Sequence, residues 1–102
     1  MTNYQPFFQL LGLANRARKV VSGEELVLNE IRKQAAKLVI LAADASEATH
    51  KKFRDKCKYY KIKCVQVGDR EALGQAIGKQ QRVVLAVTDE GFAAKLLVKL
   101  GQ

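Results

Sequence analysis

The chain has 102 residues, with 18 Lys and Arg against 10 Asp and Glu, one His, two Cys, one Pro and no Trp. At this length folding buries roughly 65% of the surface the unfolded chain exposes, which supports one core and not two. With 48% apolar and 27% charged residues, global disorder is excluded. The formal charge of +8 favours polyanions, with nucleic acid foremost and an anionic membrane surface or an acidic protein behind it.

No apolar run reaches the ~18 residues that a membrane span needs, and residues 1–13 carry no basic region ahead of an apolar core. Cys57 and Cys64 are too few to frame a secreted mini-domain. A reducing cytoplasm and no membrane partner are the expectation.

Residues 7–19 place Phe7, Leu10, Leu11 and Ala14 at helical spacing and end in Arg16, Arg18 and Lys19. Val20 and Val21 read as a short extended piece. Ser22 and Glu25 then stand three apart, the spacing of a capping box, opening a second helix that runs to about Lys33. Residues 37–43 form a continuous apolar run, which predicts a central strand buried on both faces. Asp44, Ala45 and Ser46 read as a strand end and helix cap, followed by a helix to Tyr60 with Phe53, Cys57 and Tyr60 on one face and Lys or Arg over most of the rest. Residues 62–67 alternate, Gly68 and Asp69 turn the chain, and 70–77 make a short helix ending at Gly78. Residues 82–87 are a further apolar strand, and Asp89 caps a last helix over 90–100. Buried strands alternating with helices predict an α/β fold, a three-layer α-β-α sandwich, with residues 1–102 as a single domain and no internal repeat.

Catalytic chemistry has no visible centre. Zinc needs about four ligands in closer, paired spacing than Cys57, Cys64 and His50 offer, so the thiols read as two buried apolar residues and no metal or cofactor is expected. His50 has no nucleophile placed beside it by a local motif and reads as a surface or half-buried ring. The glycines form neither a dinucleotide fingerprint nor a phosphate loop. Glu24 and Glu25 complement the dipole of the second helix, and could also accept a hydrogen bond from a base amine. The Lys-rich helix with Lys51, Lys52, Arg54, Lys56 and Lys58 reads as a solvated face that attracts phosphate without reading sequence.

Gly23 and its helix, the strand from Lys37 to Asp44, the run Leu73-Gly74-x-Ala76-x-Gly78-Lys79 and the pairs Arg82-Val83 and Ala86-Val87 follow one another as they do in a known family. The chain resembles the kink-turn-binding ribosomal-protein superfamily of L7Ae and L30e type, and residues 11–23 are similar to its bacterial YlxQ-like branch. The resemblance covers essentially the whole chain. It implies the sandwich already inferred, with a central four-stranded mixed sheet, and a non-catalytic RNA-binding role as a monomer. The partner implied is a kink-turn or ribosomal RNA, with the ribosome or translation components behind it.

In the family, the first turn of the second helix enters the groove at the kink, and a loop before the last strand covers extruded bases. Carried over, this implies an RNA surface built from Gly23, Glu24, Glu25, Leu26 and Asn29, with Lys79, Arg82 and Val83 in the covering loop and Ser46 closing the site. Arg16, Lys19, Arg32 and Lys33 are expected to hold phosphates around it. The family's strong binders begin this helix with Gly-x-Asn-Glu-x-x-Lys, whereas the same offsets from Gly23 here hold Glu25, Leu26 and Asn29. A lost base contact of this kind costs ~1–3 kcal/mol. The alternative is a protein-interaction adaptor in translation or ribosome assembly that touches RNA only non-specifically.

Overall fold

A computed structural model describes residues 4–101; the first three residues of the N-terminal stretch read above for an export signal, and residue 102, lie outside the described residues. The elements in chain order are α1 (Gln5–Arg16), β1 (Val20–Ser22), α2 (Glu24–Arg32), β2 (Leu38–Leu41), α3 (Glu47–Tyr60), β3 (Lys63–Gln66), α4 (Arg70–Ala76), β4 (Val84–Val87) and α5 (Glu90–Lys99).

The strands form one mixed sheet in the order β1-β4-β2-β3. β4 is antiparallel to both β1 and β2, while β2 and β3, joined through α3, are parallel. β2 and β4 are central and buried at all four positions each. Because strand side chains alternate, each central strand feeds two cores. Leu38, Ile40, Leu85 and Val87 pack with Phe7 and Leu11 of α1, Leu73 of α4 and Leu96 of α5. Val39, Leu41, Val84 and Ala86 pack with Val27 and Ile31 of α2 and Phe53 and Cys57 of α3. The result is the three-layer α-β-α sandwich expected from the alternation of apolar runs.

Local chemistry sets most boundaries. Ser46, Asp69 and Asp89 accept from the amides of Thr49, Ala72 and Phe92, capping α3, α4 and α5. The second helix differs from expectation. Its N-cap is Gly23, at φ 98°, with no side-chain cap. Ser22 belongs to β1, and its hydroxyl instead accepts from Arg82 Nε at 3.2 Å, so the capping box does not form.

The sheet has two ends with different surroundings. At one, β1 and β2 finish and β4 begins, with Gly23 N–H donating to Val84 O and Ala42 N–H to Val83 O. At the other, Lys37 N–H donates to Val87 O and Thr88 N–H to Lys19 O. α1, α2 and α3 all run from the first end towards the second, since each leads directly into the start of β1, β2 or β3.

Candidate functional site

The tip of α2 is pinned and open at once. Gly23 holds a backbone conformation that L side chains rarely adopt, at φ 98° and ψ 148°, so its carbonyl can accept from Val27 N–H at 3.0 Å while its own N–H reaches Val84. With no side-chain cap, the amides of Glu24, Glu25 and Leu26 have no acceptor among the described residues. Three unsatisfied donors on a helix N-terminus suit an anion such as phosphate. Glu24 Oε1 stands 3.6 Å from Lys52 Nζ of α3, and Leu26 is 56% exposed, an apolar side chain standing at the tip.

The loop over residues 77–83 is brought to this tip by two glycines. A Cβ on Gly74 would stand 2.0 Å from Gln80 O, so glycine there lets the loop backbone lie across α4. Gly78, at φ 69°, reverses the chain, and Lys79 N–H then donates to Gly74 O at 2.8 Å. This geometry accounts for the Leu73-Gly74-x-Ala76-x-Gly78 pattern. Arg82 locks the loop: Nε donates to Ser22, and Nη1 donates to Gln81 O at 2.9 Å and Gln80 O at 3.3 Å. The half-buried guanidinium is therefore a clamp as well as a positive charge.

The tip and the loop enclose a cleft of about 620 Å³ lined by Ser22, Gly23, Glu24, Leu26, Arg70, Lys79, Gln81, Arg82 and Val83. Lys79, Gln81 and Arg82 also form one wall of a second cleft of about 640 Å³, with Glu71, Gln75 and Gln80. Arg70 carries no local mark of a site residue in the sequence. It ties the remaining segment to the cleft, donating from its amide and Nε to the Asp44 carboxylate at 2.9 and 3.1 Å and from Nη2 to Asp44 O, while its carbonyl accepts from Arg82 N–H. Asp44 thus anchors Arg70, and the cap of α3 is Ser46 alone.

The structure divides the expected residues between the two ends. Gly23, Glu24, Leu26, Lys79, Arg82 and Val83 surround one cleft, with Glu25 exposed in the same helical turn and Asn29 exposed one turn on. Ser46 is at the same end, but its hydroxyl is occupied with Thr49, accepting from the amide and donating to Oγ1 at 3.0 Å. Arg16, Lys19, Arg32 and Lys33 are elsewhere. They gather where α1 and α2 finish, about 13 Å away by the rise of β1 or α2. Lys33 there pairs with Glu30 at 3.3 Å. Their position at helix C-termini has its own electrostatic reason, since cations there complement the dipole.

Of the two thiols expected to be buried, Cys57 is buried and Cys64 only half-buried. They interact across α3 and β3: the hydrogen bond to Cys64, then burial, pushes Cys57 up, while the hydrogen bond from Cys57, helped by the Arg54 guanidinium, holds Cys64 below an ordinary thiol. His50 is half-buried, with Nδ1 enclosed and without a hydrogen-bond partner among the described residues. No group of three or more His, Cys, Asp or Glu side chains among the described residues is arranged to hold a metal ion, and no described helix is long and apolar enough to cross a membrane.

A model of the ribosomal protein L7Ae/L30e/S12e/Gadd45 family matches residues 6–97. The chain is similar to the RNA-binding protein YlxQ of Bacillus subtilis (strain 168), at 63% identity over 91 residues, covering 89% of this chain and 91% of the relative. It is 44% identical over 93 residues to the RNA-binding protein YlxQ of Enterococcus faecium, covering 91% of this chain and 89% of that one. Among solved structures, a protein with unknown function from Bacillus halodurans C superposes with a TM-score of 0.91 at 46% identity, covering 94% of this chain and 97% of that chain. The Giardia lamblia 15.5kD RNA binding protein superposes with a TM-score of 0.77 at 20% identity, over 92% of this chain and 81% of its own, a likeness of fold alone.

Proposed function

Because the chain belongs to the ribosomal protein L7Ae/L30e/S12e/Gadd45 family, we propose that it is a non-catalytic RNA-binding protein that grips a structured, sharply kinked RNA at the tip of α2. The observation that carries this reading is the convergence of three free helix amides with Lys79, Arg82 and the apolar Leu26 and Val83 around one cleft. Two relatives that share most of their length with this chain are named RNA-binding proteins.

A regular A-form helix closes its major groove to side chains, so a helix tip can read RNA bases there only where the duplex is distorted. The amides of Glu24, Glu25 and Leu26 then take a phosphate at the bend. Glu25 accepts from a guanine amino group, Asn29 bonds a base edge or phosphate, and Leu26 contributes only apolar contact. The loop over 79–83 covers an extruded base, and Arg82 holds that loop in place. The proposed partners are kink-turn or ribosomal RNA, bound by a monomer in the cytoplasm.

Affinities for a kink-turn RNA and for an equal-length plain duplex, measured at two salt concentrations, test the reading. The kinked RNA binds more tightly, and Glu25→Ala with Asn29→Ala removes much of that preference, by ~1–3 kcal/mol, while barely changing duplex binding. Equal affinity for the two RNAs would instead favour the adaptor role, in which RNA contact is purely electrostatic.

A further inference from the structure

The outer face of α3 combines charge with an aromatic ring. Lys52, Lys56 and Tyr59 follow one another at steps of four and three, so they form one stripe on the helix. Tyr59 is 78% exposed, with the Tyr60 ring set against it at 4.9 Å and 76°. Tyr60 itself packs on the core, so the outer ring is backed by a fixed neighbour. These residues, with Asp55, line a shallow cleft of about 550 Å³. The Asp55 carboxylate is engaged by Lys51 at 2.9 Å, and Lys56, Lys58, Lys61 and Lys63 have no carboxylate partner among the described residues.

We propose that this stripe is a second RNA-contact surface, which holds an unpaired strand with one base stacked on Tyr59 and its phosphates on Lys52 and Lys56. Cationic side chains that track a backbone, beside an aromatic plane on which a base can stack, are what sequence-tolerant binding of single strands requires. The lysines alone would suit any polyanion; the exposed ring selects a ligand that has flat bases. The stripe is also continuous with the α2 tip, because Lys52 Nζ is 3.6 Å from Glu24 Oε1, and Tyr59 lies about 10 Å further along α3. A strand leaving the cleft at the tip therefore passes onto α3. The path from the tip onto α3 rests on the proposed reading of that tip as RNA-binding.

The test uses three labelled RNAs: a blunt kink-turn hairpin, the same hairpin with an unpaired extension of about ten nucleotides on either strand, and an oligo-uridine of that length alone. The extension raises wild-type affinity. Tyr59→Ala lowers affinity for the extended hairpin and for oligo-uridine by about tenfold, leaves the blunt hairpin unchanged, and is rescued by Tyr59→Phe. Replacing Lys52 and Lys56 together by Ala reduces the slope of log affinity against log salt for oligo-uridine by about 1.4. The proposal is overturned if the extension adds nothing, if Tyr59→Ala binds oligo-uridine as the wild type does, or if poly-glutamate binds as well and with the same dependence on Tyr59. A blunt hairpin bound no better than duplex, alongside Tyr59-dependent binding of oligo-uridine, would sink the reading of the tip and leave that of α3 standing. Because Tyr59 is exposed, Tyr59→Ala keeps the fold, and unaltered thermal unfolding verifies it.

Discussion

The two ends of the sheet carry positive charge in different ways. At the α2 tip there are few cations, and the two arginines are held: Arg82 is clamped to Ser22 and two carbonyls, and Arg70 to Asp44, with Lys79 exposed beside them. At the far end Arg16, Arg18, Lys19, Arg32, Lys33 and Lys37 are all exposed, with Lys33 paired to Glu30 and Lys37 Nζ donating to Gln34 O at the surface. A fixed array of donors can discriminate one RNA shape from another, whereas mobile charges raise affinity for all of them.

The comparison breaks most readily at Gly74. Alanine there brings a Cβ against Gln80 O at 2.0 Å, so the loop must leave α4. We expect a loss of about 3 kcal/mol in stability by denaturant unfolding, and loss of preference for kinked RNA in whatever remains folded. Gly23→Ala comes next. Open space surrounds the position, so the effect is backbone strain alone, about 2 kcal/mol, and it tilts the α2 tip enough to weaken kinked RNA more than duplex. The far end should respond differently. Arg32→Glu with Lys33→Glu removes favourable dipole contacts worth ~0.3–1 kcal/mol each and lowers affinity for kinked and plain RNA equally, with a shallower salt dependence. A selective loss on kinked RNA from that double variant would mean that the two ends act as one site.

Much of the architecture is legible in the sequence because its signals are local. The apolar runs of β2 and β4, the caps Ser46 and Asp89, and the turn at Gly78 each declare themselves within a few residues, while Asp69, read as part of a turn, also caps α4. The site is legible only in part. The Ser22–Glu25 spacing suggests a capping box, but Ser22 is taken by Arg82, sixty residues away in sequence. The Arg70–Asp44 clamp likewise joins positions twenty-six apart, and neither residue carries a local mark of its partner. Arg16, Lys19, Arg32 and Lys33 are close to Gly23 in sequence and yet lie at the other end of the sheet, because strand and helix direction, not sequence proximity, decides which end a residue occupies. The half-burial of Cys64 follows from the edge position of β3, which an alternating pattern cannot distinguish from a central strand's wet face.

Amide chemical shifts followed while a blunt kink-turn RNA is titrated into the isotopically labelled protein test the central claim most directly. The account predicts that the amides of Glu24, Glu25 and Leu26 and of the loop over 79–83 move first and furthest, with Arg16, Lys19, Arg32 and Lys33 responding weakly. Large shifts confined to those four basic residues, with the α2 tip unmoved, would contradict it.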